Sequence, residues 1–313
     1  MNDDDDTRRI SRVEEKWSSS AEVYAVDGFK VFWEALETAS AYQMEAAFGN
    51  TPWLESIMSR IPDTAEGRTL RALSLGCTNG EAAPANEFAR TGRFVEVTVV
   101  DISQDLLASQ KELTDKLGLG KIIRYRRMDL EQDAFDFESP FDLIFAVGTL
   151  HHIRGLERLF ANINDSLTPA GLFFMREYVG PDRLQFTDHQ IEIATTIRRA
   201  LPERLCTNLE GKLCRDAWRP TVEEVVADDP SEAIRSSELL EVAGRFLAVE
   251  ETRLTGGTLL DPLLHGIAGH FERDVSGREI LPLLIAFEKI LVREGVLPSD
   301  YVLMIARRRH DRS

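Results

Sequence analysis

From Arg71 to Tyr178, short apolar runs alternate with helix-like segments, and this rhythm restricts the fold more than any other feature of the chain. The runs are ALSL (72–75), ending in GCTNG; FVEVTVV (94–100), ending at Asp101; KIIRYRRM (121–128), ending at Asp129; FDLIFAV (141–147), followed by GTLHH; and GLFFMREY (171–178), followed by VGP. Segments 81–90, 103–117 and 155–167 between them carry helical patterning, with Ser103 as a candidate N-cap. Connections of that length and kind join parallel strands, so the pattern predicts a doubly wound α/β sheet.

The flanks read differently. Residues 1–12 open with four consecutive aspartates, cannot bury apolar surface, and are expected to form a disordered tail. Residues 13–66 read as N-terminal helices, with Thr51-Pro52 as a helix start and Gly67 closing the region. After the 67–180 core, residues 181–245 read as a helical insertion, with a helix at 187–201 and a polar stretch holding Pro202, Pro220 and Pro230. Residues 246–313 complete the sheet: RFLAVEETRL (245–254) is a sixth strand, two helices follow, and YVLMIARR (301–308) is the last strand. Pro282 is expected near the start of the second of those helices, where proline is tolerated.

Charge narrows the partners. The net charge is −16 at pH 7, against the basic face that phosphate neutralisation requires, so nucleic acid and anionic membrane surfaces are disfavoured. Three cysteines with no metal-like spacing, no basic-then-apolar leader and no membrane-length apolar run point to a reduced, cytoplasmic setting. Oligomeric state is left open, a homodimer included.

The chemistry concentrates at strand ends. Gly76 and Gly80 bracket Cys77, Thr78 and Asn79 in a tight turn after the first strand, where backbone can approach a ligand closely. Asp101 ends the second strand, where a carboxylate can accept both hydroxyls of a ribose, and Asp129 ends the third. His151 and His152 follow the fourth strand, and Glu177 and Tyr178 end the fifth. Histidine has the proton affinity of a general base near neutral pH.

LSLGCTNG, VTVVDIS, RYRRMDLEQ, FDLIFAVGTLHHI and LTPAGLFFMREYVGP, taken in this order over residues 70–180, resemble the successive motifs of class I methyltransferases that use S-adenosylmethionine (SAM). The resemblance implies a Rossmann-like, seven-stranded, mostly parallel sheet whose last strand runs antiparallel. It implies SAM held by Gly76, Cys77, Thr78, Gly80, Asp101, Ile102, Asp129, Leu130 and Val147, with Asp101 on the ribose and Asp129 and Leu130 flanking the adenine. Two positions depart from the family pattern: Ser74 stands where an acid is common and Thr78 where a third glycine is usual. By analogy with relatives whose second histidine serves as base, His152 is the first choice for that role, with Glu177 orienting an acceptor. His151, Tyr178 and His265 are assigned to the acceptor, and an N-terminal lid would bring Tyr24 onto SAM. No metal is expected: His265 and His270 are five apart, which is not one helical face. The acceptor is read as a small or saccharide-like molecule, methylated at oxygen. Two rival readings stay open. One is a non-catalytic binding module on the same fold. The other is a nicotinamide-dependent dehydrogenase, which the missing second and third glycines of G-x-G-x-x-G disfavour.

Overall fold

The computed structural model describes residue 12, residues 25–26, residues 28–62 and residues 69–309. Tyr24, Gly67 and most of residues 13–27, the segment expected to close as a lid over the cofactor, lie outside the described residues.

Seven strands form one sheet: β1 (Leu70–Leu75), β2 (Phe94–Asp101), β3 (Ile123–Arg127), β4 (Phe141–Val147), β5 (Leu167–Tyr178), β6 (Leu247–Gly256) and β7 (Tyr301–Arg308). Their spatial order is β3-β2-β1-β4-β5-β7-β6. The first five strands run parallel, with Leu75 opposite both Val100 and Ala146. Strand β7 is antiparallel to both β5 and β6. The expected Rossmann-like sheet with a reversed last strand is therefore present.

The central strands read as unbroken apolar runs because both of their faces are covered. One face packs against the helices Glu37–Phe48, Trp53–Met58, Pro84–Arg90 and Gln104–Lys116 through Phe48, Ile57, Phe88 and Leu107. The other packs against Leu156–Ser166 and Leu239–Phe246 through Leu159, Phe160, Ile163, Leu239 and Val242. The order in which successive strands are laid down switches direction between the parallel neighbours β1 and β4, and the crevice outside their carboxyl ends is where open α/β sheets take ligands.

A third apolar cluster joins Trp33, Leu36 and Tyr42 to Ala194, Leu260, Leu263, Leu281 and Leu284. Tyr301 packs on it, and Tyr301 pairs with Tyr178 at the carboxyl end of β5. The additions to the sheet thus gather at the crevice end.

Several local expectations shift. Ser103 Oγ does accept the Leu106 N–H at 3.3 Å and caps its helix. Residues 25–26 and 29–30 pair as a two-residue antiparallel ribbon rather than a helix. Pro52 itself is the N-cap of Trp53–Met58. Helix Leu239–Phe246, within the segment read as insertion, instead covers the sheet. Pro282 lies well inside the helix Val275–Arg293, not near its start, because Asp274 caps the amides of Ser276 and Gly277 and begins the helix earlier.

Candidate functional site

The turn after β1 is shaped by sterics. Gly76 has φ +91° and Gly80 φ +90°, in the left-handed region that favours glycine. A Cβ on Gly76 would stand 2.0 Å from Thr149 Oγ1, so this turn and the one after β4 are in direct contact. A Cβ on Gly80 would meet nothing within 4 Å. The Gly80 N–H donates to Gln110 Oε1 (3.1 Å), and Gln110 Nε2 donates to Asn79 Oδ1 (2.9 Å). Buried Ser74 donates its hydroxyl to the Gly76 carbonyl at 2.8 Å, closing the turn internally where relatives often carry an acid. Thr78, in place of a third glycine, is exposed.

Asp101 is fixed by backbone. Its Oδ2 accepts the Cys77 N–H and its Oδ1 the Ser103 N–H, both at 2.8 Å. Burial raises its pKa, and these amide bonds oppose the rise. The Cys77 thiol is pushed up by burial and by the Asp101 charge, which keeps it protonated and unreactive. Asp129 Oδ1 accepts the Glu131 N–H at 2.8 Å, holding the turn after β3. Leu130 is buried there, and Ile102 and Val147 are half-buried.

Beyond Thr149 the chain makes one 3-10 turn, Leu150–His152. The N–H groups leading into it are satisfied by Glu177, whose side chain is fully buried at the end of β5. Glu177 Oε1 accepts the N–H groups of Thr149 (2.8 Å) and Leu150 (2.9 Å), while Oε2 lies 2.9 Å from His151 Nδ1. A carboxylate with three facing donors fixes the imidazole proton on Nδ1 and leaves Nε2 on the far side. His151 Nε2 lies 3.7 Å from Glu232 Oε1.

His152 is held in a parallel way. Its ring lies 4.1 Å from that of His151, and its Nδ1 is 3.0 Å from Ser231 Oγ. Ser231 Oγ sends its one proton to Asp229 Oδ1 at 2.6 Å, so toward His152 it accepts, and His152 too carries its proton on Nδ1. Burial pulls the His151 pKa down, but the Glu177 bond and the Glu232 charge outweigh it and raise it to about 9. Burial and the neighbouring His151 charge lower His152 to about 3.

Asp229, Ser231 and Glu232 were not among the candidates from sequence. They belong to DDPSEA, a polar stretch without periodicity, and only the tertiary fold carries it to the histidines.

Aromatic rings build the outer wall. Tyr178 donates its hydroxyl to the Pro181 carbonyl (3.0 Å) and lies 6.2 Å from His151 and 5.3 Å from Tyr301, ring centre to ring centre. Tyr301 donates to Glu34 Oε1 at 2.5 Å and stands 3.2 Å from Asp261 Oδ2. Burial raises the pKa of both acids. His265 stacks on Trp218 at 3.6 Å and meets Phe32 edge-on at 5.3 Å. Its Nδ1 is buried without a hydrogen-bond partner, and burial followed by the Arg198 charge lowers its pKa to about 4.

Residues 73–175 match the sequence model of the methyltransferase domain family. The chain is 28% identical over 160 residues to a sterol 24-C-methyltransferase of Eremothecium gossypii, covering 50% of this chain and 41% of that protein. It is 30% identical over 102 residues to a juvenile hormone acid O-methyltransferase of Bombyx mori, covering 32% of this chain and 35% of that one. The matched segments thus span less than half the length of these curated relatives. Among solved structures, geranyl diphosphate C-methyltransferase from Streptomyces coelicolor A3(2) superposes with a TM-score of 0.50 at 14% identity, over 96% of this chain and 98% of that one, which speaks for the fold. The match at 73–175 identifies a methyltransferase domain in that segment, and the sheet built around it has the Rossmann-like methyltransferase fold.

Proposed function

We propose that the chain transfers a methyl group from SAM to an oxygen of a small-molecule or saccharide-like acceptor. The observation that carries this reading is the contact between two turns: the glycine turn at Gly76 and the histidine turn at Thr149 are so close that a single Cβ would collide. A ligand cradled by the first turn is therefore a neighbour of the imidazoles on the second.

SAM, when bound, supplies a methyl group already activated by the adjacent sulfonium. The residues present fit it. Gly76, Cys77, Thr78 and Gly80 offer an open backbone turn, and Asp101 is pre-oriented by two amides while keeping further lone pairs for ribose hydroxyls. Ile102, Asp129, Leu130 and Val147 would complete the adenosine side. The acceptor would sit against His151, Tyr178 and His265. Glu177 holds His151 with Nε2 directed away from the strand end; with its pKa raised to about 9 the ring takes a proton from an acceptor hydroxyl only as pH rises toward that value. His152, the first choice from sequence, is tied to Ser231 and keeps a role in packing and orienting that turn. Alignment and exclusion of water supply the rest of the rate.

Calorimetry with SAM and S-adenosylhomocysteine, followed by a screen for S-adenosylhomocysteine release over a panel of hydroxylated acceptors, tests the proposal. Binding heat and a rise in melting temperature are expected with both nucleosides. Absence of both sinks it. Binding without release on any acceptor favours the non-catalytic reading.

A further inference from the structure

The two imidazoles and Glu232 form a convergent set of donors, and an ion held there would occupy His151 Nε2 and take over from it the activation of the acceptor hydroxyl. One ring nitrogen from each of His151 and His152 and one carboxylate oxygen of Glu232 lie within 4.8 Å of one another. The His151 Nε2 to Glu232 Oε1 distance, 3.7 Å, is too long for a hydrogen bond. It is close to the separation of about 3.3–3.5 Å between two ligands at about 2.0–2.1 Å from one tetrahedral ion.

The surroundings are those of a ligand set. Each imidazole is anchored through Nδ1: His151 by the Glu177 carboxylate and His152 by Ser231, which is itself bonded to Asp229. Metal-bound histidines commonly use their second nitrogen in this way, fixing the tautomer and directing the other nitrogen at the ion. Two imidazoles and one carboxylate match the donor set of catalytic zinc sites, which leave a fourth position open, and His151 would release its Nε2 proton as the ion binds.

We propose that His151, His152 and Glu232 bind one divalent transition ion of the zinc class, with its open position available to a heteroatom of the acceptor. This rests on the methyltransferase reading for the identity of that fourth ligand, but not for the ion itself. The acceptor class it selects is one bearing a hydroxyl or other donor that can chelate or coordinate, rather than a plain hydrocarbon.

Cobalt(II) titration of the full, tag-free, chelator-treated chain is the test, read by visible absorption and by calorimetry. One equivalent is expected, with the intense bands of a tetrahedral site, competed away by Zn²⁺. Glu232→Gln and His151→Ala should abolish the bands, Ser231→Ala should weaken affinity by about 10–100-fold, and Cys214→Ser should leave the site intact. Bands that survive Glu232→Gln and His151→Ala, or their absence from a chain that still unfolds cooperatively, overturn the proposal. SAM calorimetry on the same chelated sample separates the two readings. SAM heat without cobalt bands defeats the metal site alone, whereas bands without SAM heat defeat the transfer reading and leave the ion standing.

Discussion

Replacing Glu177 by glutamine changes one oxygen to an amide nitrogen and should disable the site without dissolving it. In the native turn, Oε1 takes two backbone N–H groups and Oε2 faces His151 Nδ1 at 2.9 Å. Glutamine has one acceptor oxygen. Placed on the Oε1 side it keeps both backbone bonds, and its NH2 then faces Nδ1. Placed the other way it sets a donor against two donors, losing two bonds rather than one, a difference of about 1 kcal/mol or more. The first arrangement wins, so Nδ1 becomes the acceptor and the imidazole proton moves to Nε2. Above about pH 9, where the native ring has shed its Nε2 proton, the variant ring therefore has no lone pair there with which to take one. General-base catalysis contributes about 10²–10⁴-fold, so turnover should fall by at least about 10²-fold, equivalent to about 2.7 kcal/mol of barrier. Affinity for SAM should change by less than about threefold, because the glycine turn and Asp101 are untouched, and loss of one charge-assisted bond should cost about 1.5–3 kcal/mol of stability. S-adenosylhomocysteine release, calorimetry and the ¹⁵N shifts of the imidazole nitrogens read these quantities separately. A variant with full turnover above about pH 9, or one whose Nε2 is unprotonated there, refutes the tautomer argument.

Other perturbations address different joints of the molecule. Gly76→Ala combines left-handed strain of about 1–2 kcal/mol with a clash against Thr149, and should lower both melting temperature and SAM affinity; Thr149→Gly in the same chain should restore only the clash component, and equal effects in the single and double variants would argue against the contact. Asp101→Asn leaves one amide facing a donor and removes a charged acceptor for ribose, so the dissociation constant for SAM should rise about 10–100-fold by calorimetry. Burial lifts the Asp300 pKa to about 7, above its value in the unfolded chain, so its contribution to stability is full at low pH and is lost as pH rises toward and through 7. Melting curves from pH 5 to 8 should therefore fall more steeply for the wild type than for Asp300→Asn, and parallel curves would contradict the assignment.

Much of the sheet was legible because of where its strands lie. Strands β1 and β4 are buried on both faces, so ALSL and FDLIFAV appear as unbroken apolar runs, and Ser103 announces its helix by a local bond that needs no tertiary context. The strand-end positions Gly76, Asp101, His151 and Glu177 followed from the same rhythm. The ribbon at residues 25–30 is too short to impose a period, and its apolar residues imitate a helix. The anchors of the histidines were hidden for a different reason. Asp229, Ser231 and Glu232 act through contacts some 80 residues distant in sequence, and nothing local in DDPSEA distinguishes them from a solvated loop. The glycine pattern indicated a turn but not its seam with Thr149, which depends on β1 and β4 being neighbours.

The division of labour around the imidazoles has an evolutionary corollary. The rings stand on a short turn leaving the sheet, while Asp229, Ser231 and Glu232 arrive on a connecting segment that contributes no strand. Descendants can rewrite that segment, swapping acid for amide or hydroxyl for hydrocarbon, and so retune proton affinity or ion preference beside an unaltered nucleoside cradle. New acceptors then become reachable by editing a loop, at little risk to the scaffold that must fold first.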